Sequence, residues 1–229
     1  MTVKTMPSPL TVLLVDDHAV VREGYRRLLE RSSDIRVVGE AGDSAEAYQL
    51  MCQLKPAVVV MDISLPDVSG IEAMRRMLAR EPAVRVLIFS MHEEAIFAAR
   101  ALQAGARGYI TKVSAPEILI DAVRAVARGE VFLSRDIAQT LALKNMLGND
   151  AALKSLSARE FEIMRLLVTG HTLAAIAGKV GLSYKTVANH QSAIRQKMGA
   201  QTAVDLLRIA QRSGLVPADS GAAINEVKS

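Results

Sequence analysis

Five short apolar runs, each followed by a stretch of helical periodicity, fill residues 10–128, and this alternation constrains the fold more than any other feature. The runs are Thr11–Val15, Ile35–Glu40, Ala57–Asp62, Arg85–Ser90 and Ala106–Thr111. Each is nearly continuous in apolar character, as strands covered on both faces are. The stretches His18–Arg31, Ser44–Leu54, Gly70–Arg80, Glu94–Ala104 and Pro116–Arg128 repeat apolar residues at the helical period. Pro116 suits a first helical turn, where a missing N–H is no loss. Five βα units predict an α/β fold, a doubly wound, parallel, five-stranded sheet. With aromatic residues at 3 % and no tryptophan, its core must be aliphatic.

The rest of the chain changes character. Residues 129–152 read as a partly helical linker, helical from Ser134 to Met146 and broken at Gly148-Asn149-Asp150. Residues 153–212 are helical throughout. Ser157 and Glu160 have the spacing of a capping box. Phe161, Met164, Leu167 and Val168 form an apolar stripe, and Gly170 ends that helix. Thr172 caps a short second helix. Gly181-Leu182-Ser183 makes a turn, Ser183 caps a longer helix to Met198, and a fourth spans Thr202–Gln211. A small, all-α four-helix module follows from this pattern. Met1–Leu10 and residues 213–229 read as flexible ends.

Charge divides the same way. Residues 1–150 carry 18 Lys+Arg against 19 Asp+Glu, whereas residues 151–212 carry nine against three. A basic module after a near-neutral one fits a polyanion partner, although a merely solvated basic face gives the same count. The single cysteine, Cys52, excludes an internal disulfide and a cysteine-based zinc site; it is read as an inert core thiol in a reducing cytoplasm. No apolar run reaches the ~20 residues that span a bilayer, so no membrane partner is expected.

In a doubly wound sheet, ligands bind beyond the carboxyl ends of the strands. Asp16 and Asp17 follow the first run, Asp62 ends the third, Ser90 ends the fourth and Lys112 follows the fifth. Three carboxylates at one edge repel unless a cation joins them. Mg2+ suits oxygen ligands. A carboxylate beside it can attack a phosphoryl group, and Lys112 would neutralise the phosphoryl oxygens. Singly, each residue has a plainer reading: a helix cap, a loop acid, a solvated lysine, a backbone-bonded hydroxyl. Their joint placement points to a site. His18 is read as a helix-start residue.

The strings LLVDDHAVVREG, VVMDISLPDVSG, VLIFSMHEE and GARGYITK carry a specific resemblance. Over residues 10–128 the chain resembles the receiver domain of bacterial response regulators. The resemblance implies that Asp62 is the phosphoacceptor, fed by a sensor histidine kinase. It implies that Asp16, Asp17, Asp62 and the backbone carbonyl of Ser64 hold Mg2+. Lys112 would contact the phosphoryl group, Ser90 and Tyr109 would rearrange on phosphorylation, and Pro66 and Gly70 would shape the acceptor loop. Leu65 stands where the family commonly has methionine, and Ser69 where it has an acid or amide.

A helix, a Gly-containing turn and a second helix with basic and polar exposed positions form a helix-turn-helix pattern. Lys185 and Thr186 open the second helix, with Asn189 and Ser192 further along the same side. Asn189 can pair with adenine. Lys179, Arg195 and Lys197 suit phosphates. Residues 153–212 resemble the LuxR-type helix-turn-helix through Leu156, Ser157, Arg159, Glu160, Leu167, Gly170, Ile176, Ala177, Leu182, Ser183, Thr186, Val187, His190, Ile194 and Lys197. The resemblance implies that the helix-turn-helix proper lies at about Leu173–Ser192. The combination resembles response regulators of the NarL/FixJ type, which implies double-stranded DNA as partner and a homodimer when phosphorylated. Phosphorylation would release a basic helix masked at rest. The family's basic residues are missing at Ala174, Ala175 and Ala188. A protein-docking bundle is the alternative for this module. Residues 150–229 hold no nucleophile–base pair, metal cluster or Gly-rich phosphate loop, so the chain is not read as an enzyme.

Overall fold

A computed structural model describes residues 8–114, 116–147, 153, 155–213 and 215–216. The start of the Met1–Leu10 segment, the Gly148-Asn149-Asp150 break and the tail beyond Val216 lie outside the described residues. The chain separates into two compact units, Met1–Leu143 and Lys144–Ser229.

In the first unit, strands and helices alternate. They are β1 (Leu10–Val15), α1 (Ala19–Glu30), β2 (Ile35–Ala41), α2 (Ser44–Leu54), β3 (Val58–Met61), α3 (Gly70–Arg80), β4 (Val86–Ser90), α4 (Ala95–Gln103), β5 (Gly108–Thr111) and α5 (Pro116–Ala127). A sixth strand, β6 (Phe132–Leu133), and α6 (Arg135–Leu147) follow. The order is β2-β1-β3-β4-β5-β6, all parallel. Every residue of β3 and β4 is buried. One sheet face packs Val12, Leu14, Val58, Val60, Leu87, Phe89 and Ile110 against Leu29 of α1 and Leu119, Ala122, Val123 and Val126 of α5. The alternate residues, among them Leu13, Val59, Met61 and Ile88, are buried on the other face. There α2, α3 and α4 bring Met51, Met74, Met77 and Phe97 to the core.

Three expectations need correction. The sheet has six strands, not five. Two residues are too short to leave a periodic signal. Backbone bonds create β6 instead: Gly129 turns the chain at φ +86, then Phe132 N–H donates to Arg107 O and Ser134 N–H to Tyr109 O. Leu10 opens β1 rather than closing a flexible lead-in. Cys52 is exposed, not in the core. The buried face of α2 is Ser44, Ala47 and Met51, and the next residue lies ~100° round the helix.

The second unit contains α7 (Ala158–Val168), α8 (Leu173–Lys179), α9 (Tyr184–Met198) and α10 (Ala203–Arg212). Local chemistry sets each start. Ser157 and Glu160 form the capping box, Thr172 accepts from Ala175 N–H, and Ser183 accepts from Thr186 N–H. Thr202 forms a second box with Asp205. Helix α7 packs on the other three, so its burial exceeds one stripe. Ile163 and Leu166 are buried with Phe161, Met164 and Val168, while Leu167 is only half-buried. The flexible end expected from residue 213 is also corrected in part. Leu215 N–H donates to Ala210 O, and Leu215 and Val216 are buried.

Glu160 does more than cap. Its buried carboxylate accepts from Ser157 N–H at 2.6 Å and from Lys197 Nζ at 2.7 and 2.8 Å, joining α7 to α9. Burial alone would raise its pKa, but Lys197 and the Ser157 donors hold it below the ordinary carboxylate value. Such a group stabilises above its unfolded pKa of 4.5 and loses that effect as pH falls through the lower folded value. Glu160→Gln is expected to cost the second unit about 2 kcal/mol near pH 7, the size of a charge-assisted hydrogen bond. The deficit should shrink as pH falls below 4.5 and through the lower folded value. Urea unfolding of both proteins across pH checks this; equal stability at pH 7 would refute it.

Candidate functional site

The strand order reverses between β1 and β3, the switch point where doubly wound sheets bind ligands. Val15 pairs with Met61, and Asp62 N–H donates to Val15 O at 2.9 Å. Asp16 and Asp62 therefore leave neighbouring strands side by side. They are 5 % and 4 % exposed. Lys112 comes in from the end of β5, anchored by its N–H on Ser90 O. Its Nζ donates to Asp16 Oδ2 at 2.5 Å and to Asp62 Oδ2 at 2.6 Å. Burial works against the ammonium, but Asp62 and Asp16 together hold its pKa above the ordinary lysine value.

Asp17 is more exposed and pairs with His18 Nδ1 at 2.7 Å. His18 occupies the N-cap position of α1 without a side-chain capping bond. Its ring also lies 3.3 Å from Asp16 Oδ1. The ligand atoms of Asp16, Asp17 and His18 fall within 4.8 Å of one another. The helix-start reading thus describes the backbone of His18, while its ring joins the acidic edge. Ser64 N–H donates to Asp62 Oδ1 at 3.3 Å. The β3–α3 loop is held close by Gly70, whose N–H donates to Ile63 O at 2.8 Å.

Ser90 is fully buried at the end of β4, and its Oγ accepts from His92 N–H at 3.4 Å. Tyr109 is fully buried on β5 and donates its hydroxyl to His92 O at 2.7 Å. Burial, then the charge of Glu94, pushes the Tyr109 pKa far up, so it stays a donor.

Three residues at this site escaped the sequence. Arg22 on α1 donates through Nη1 to the backbone carbonyl of Asp16 and lies 3.5 Å from Glu40. Tyr25 packs edge-on against Phe89, with centroids 4.5 Å apart, under the acidic pair. His92 is 7 % exposed. Arg22 and Tyr25 lie one turn apart on α1, but a contact to one backbone carbonyl has no sequence signature.

In the second unit, α8, the Gly181 turn and α9 form the helix-turn-helix. Val187, Ile194 and Met198 bury one face of α9. Lys185, Asn189 and Ser192 lie on the opposite face and are exposed, as is Lys179 at the end of α8. Tyr184, unremarked in the sequence, is 59 % exposed in the first turn of α9. Thr186 is half-buried with its hydroxyl 2.8 Å from Ser183 Oγ, and Ser192 Oγ donates back to Ala188 O at 3.2 Å. Arg195 is half-buried. Lys197, expected to contact phosphate, has its ammonium on Glu160 while its side chain stays 40 % exposed. Ala174 and Ala175 are exposed, so cations there would have faced solvent; Ala188 is half-buried. His190 is half-buried, and burial lowers its pKa.

Comparison with known proteins agrees with both units. Residues 12–124 match the response regulator receiver domain, and residues 154–210 match the bacterial regulatory proteins of the luxR family. The chain is 38 % identical to the response regulator GacA of Pseudomonas aeruginosa over 213 residues, which is 92 % of this chain and 100 % of that protein. It is 36 % identical to the response regulator UvrY of Escherichia coli K12, over 92 % of this chain and 98 % of that one. A LuxR-family two-component response regulator from Aurantimonas aligns with TM-score 0.59 and 47 % identity, covering 61 % of this chain and 99 % of that chain. RcsB from Salmonella enterica serovar Typhimurium, bound to a promoter in the presence of the phosphomimetic BeF3-, aligns with TM-score 0.61 and 27 % identity over 91 % of this chain and 100 % of that chain. The chain belongs to the two-component response regulators, with an N-terminal receiver domain and a C-terminal LuxR-type DNA-binding domain.

Proposed function

We propose that Asp62 accepts a phosphoryl group from a sensor histidine kinase and that this controls binding of the α8–α9 helix-turn-helix to specific double-stranded DNA. The observation that carries the reading is the convergence of Asp16, Asp62 and Lys112 at the β1/β3 switch point. One Asp62 carboxylate oxygen attacks phosphorus. The new O–P bond forms as the P–N bond to the donor imidazole breaks, and its electron pair leaves with that nitrogen. Lys112 sits 2.6 Å from the attacking group and balances the added negative charge. The donor set fits Mg2+: carboxylate oxygens of Asp16, Asp17 and Asp62, with the Ser64 carbonyl on the loop beside them. When bound there, Mg2+ would supply charge neutralisation for the phosphoryl oxygens. Ser90 and Tyr109 then rearrange as the pair that reports the new charge.

On DNA, Lys179, Lys185 and Arg195 contact phosphates, while Thr186, Asn189 and Ser192 line the side of α9 that meets the major groove. Tyr184 adds an exposed aromatic hydroxyl at the first turn. Two copies bind two half-sites. Lys197, 40 % exposed, joins α9 to α7 through Glu160 and can still meet a phosphate.

The test is a genomic DNA pull-down at moderate salt, after treatment with acetyl phosphate and Mg2+, for the parent protein and Asp62→Ala. Enrichment of a few sites by the parent alone is the expected outcome, with an added phosphoryl mass only in the parent. A phosphorylated mass in Asp62→Ala would sink the acceptor assignment. No enrichment by a verified phosphoprotein would favour protein docking, which the exposed Ala174 and Ala175 make the second reading.

A further inference from the structure

We propose that His92 is a positioning residue that ties the loop after Asp62 to the Ser90–Tyr109 pair and to helix α4. This rests on the function proposed above and deepens it. Four contacts converge on this one buried residue. Its ring Nε2 lies 3.3 Å from Ser64 Oγ, across 28 residues of chain. The ring stacks on Phe97 of α4, with centroids 4.1 Å apart and planes at 13°. Its N–H donates to Ser90 Oγ at 3.4 Å. Its carbonyl accepts the Tyr109 hydroxyl at 2.7 Å.

The geometry makes His92 a common support for the β3–α3 loop, the strands β4 and β5, and helix α4. Ser64 is two residues from the acceptor, so a shift of the β3–α3 loop pulls on the ring. Ser90 Oγ cannot turn to a phosphoryl group on Asp62 without changing its contact with His92 N–H. Tyr109 is held inward by the His92 carbonyl, so its hydroxyl moves only with that backbone. Phe97 is fully buried, and its face-on contact transmits any ring movement to α4. A coupling element requires two discrete arrangements; the structure shows one of them, and phosphorylation is proposed to shift His92 to a second. A plain packing role would need the stack on Phe97 but not the Ser64 contact.

The experiment uses the full chain, phosphorylated by acetyl phosphate and Mg2+, with the phosphorylated fraction read by intact mass. Amide hydrogen exchange is followed over Ala95–Gln103. In the parent, phosphorylation is expected to change exchange there by roughly fivefold or more, the lower end of usual site-to-site coupling. His92→Phe keeps the stack and loses the ring nitrogen. It should still be phosphorylated, but the exchange change in α4 should disappear. His92→Gln keeps a hydrogen-bonding end but has no ring to stack on Phe97, so it should lose the α4 response as well. Ser64→Ala removes the other end of the tether; at equal phosphorylated fraction, its effect should not add to that of His92→Phe. A full response in His92→Phe overturns the proposal, as does additivity of the two substitutions, or a phosphorylated parent whose α4 exchange is unchanged. A parent that takes no phosphoryl mass defeats the acceptor assignment, and the proposal falls with it. Should His92→Phe fail to fold, the Ser64→Ala and His92→Gln responses decide alone, unchanged α4 coupling in Ser64→Ala being the overturning result.

Discussion

Lys112→Met should destabilise the first unit by about 3–5 kcal/mol in Mg2+-free buffer, the cost of removing one partner from a buried ion pair. The side chains of Lys112, Asp16 and Asp62 are 7 %, 8 % and 5 % exposed. Without the ammonium, two buried carboxylates face each other with nothing between them. Added Mg2+ should recover part of the loss, because a cation again joins the pair. Phosphoryl acceptance should not recover, since the charge at the phosphoryl oxygens is gone. Chemical denaturation with and without Mg2+ reads the first effect, and intact mass after acetyl phosphate reads the second. The pH dependence has a definite sign. The folded pKa of Lys112 is raised, so its contribution is fully present below the ordinary value of 10.5 and fades as pH climbs through the folded value. A variant as stable as the parent at pH 7 would show that the pair contributes nothing.

Gly70→Ala should disable the same site without touching a charge. A Cβ there would lie 1.8 Å from the Asp62 carbonyl oxygen and 2.8 Å from its carbonyl carbon. These are backbone atoms and cannot swing aside. The β3–α3 loop must shift, and the Gly70 N–H to Ile63 O bond breaks with it. Overpacking of this kind costs about 3 kcal/mol. Displacing the acceptor by ~1 Å should slow phosphoryl transfer roughly 100-fold. Gly24→Ala is the control, because its Cβ would meet nothing within 4 Å. Stability and the rate of mass gain are measured for both. A Gly70→Ala protein phosphorylated at the parent rate would show that the loop accommodates the methyl group.

Much of this architecture was legible because burial on two faces leaves a strong trace. The runs that became β3 and β4 are buried at every position, which is why they read as near-continuous apolar segments. Helices α2 and α3 begin and end where their spacing predicted, at Ser44–Leu54 and Gly70–Arg80. The capping residues Ser157, Thr172 and Ser183 were readable for a different reason: a cap acts within three residues of itself. What failed to show had no local cause. Strand β6 exists through backbone bonds such as those to Arg107 and Tyr109. Cys52 and Leu167 turned outward because the packing of neighbouring helices, not the apolar character of the surrounding stretch, selects the buried face.

The candidate site divides along the same line. The acids, Ser90 and Lys112 were found because strand ends are readable and the fold gathers those ends at one edge. That Lys112 bridges Asp16 and Asp62, and that Lys197 is held by Glu160, were not readable. These partners lie up to 96 residues apart, and which cation meets which anion depends on side-chain reach across packed elements. By itself the sequence determined the alternation of strands and helices, the caps and the gathering of acids at one edge, since each follows from periodicity or from neighbours a few residues away. Only the tertiary structure decided the short sixth strand, the pairing of charges and the convergence on His92, because those arise from contacts between distant segments whose energies exist only once the chain is packed.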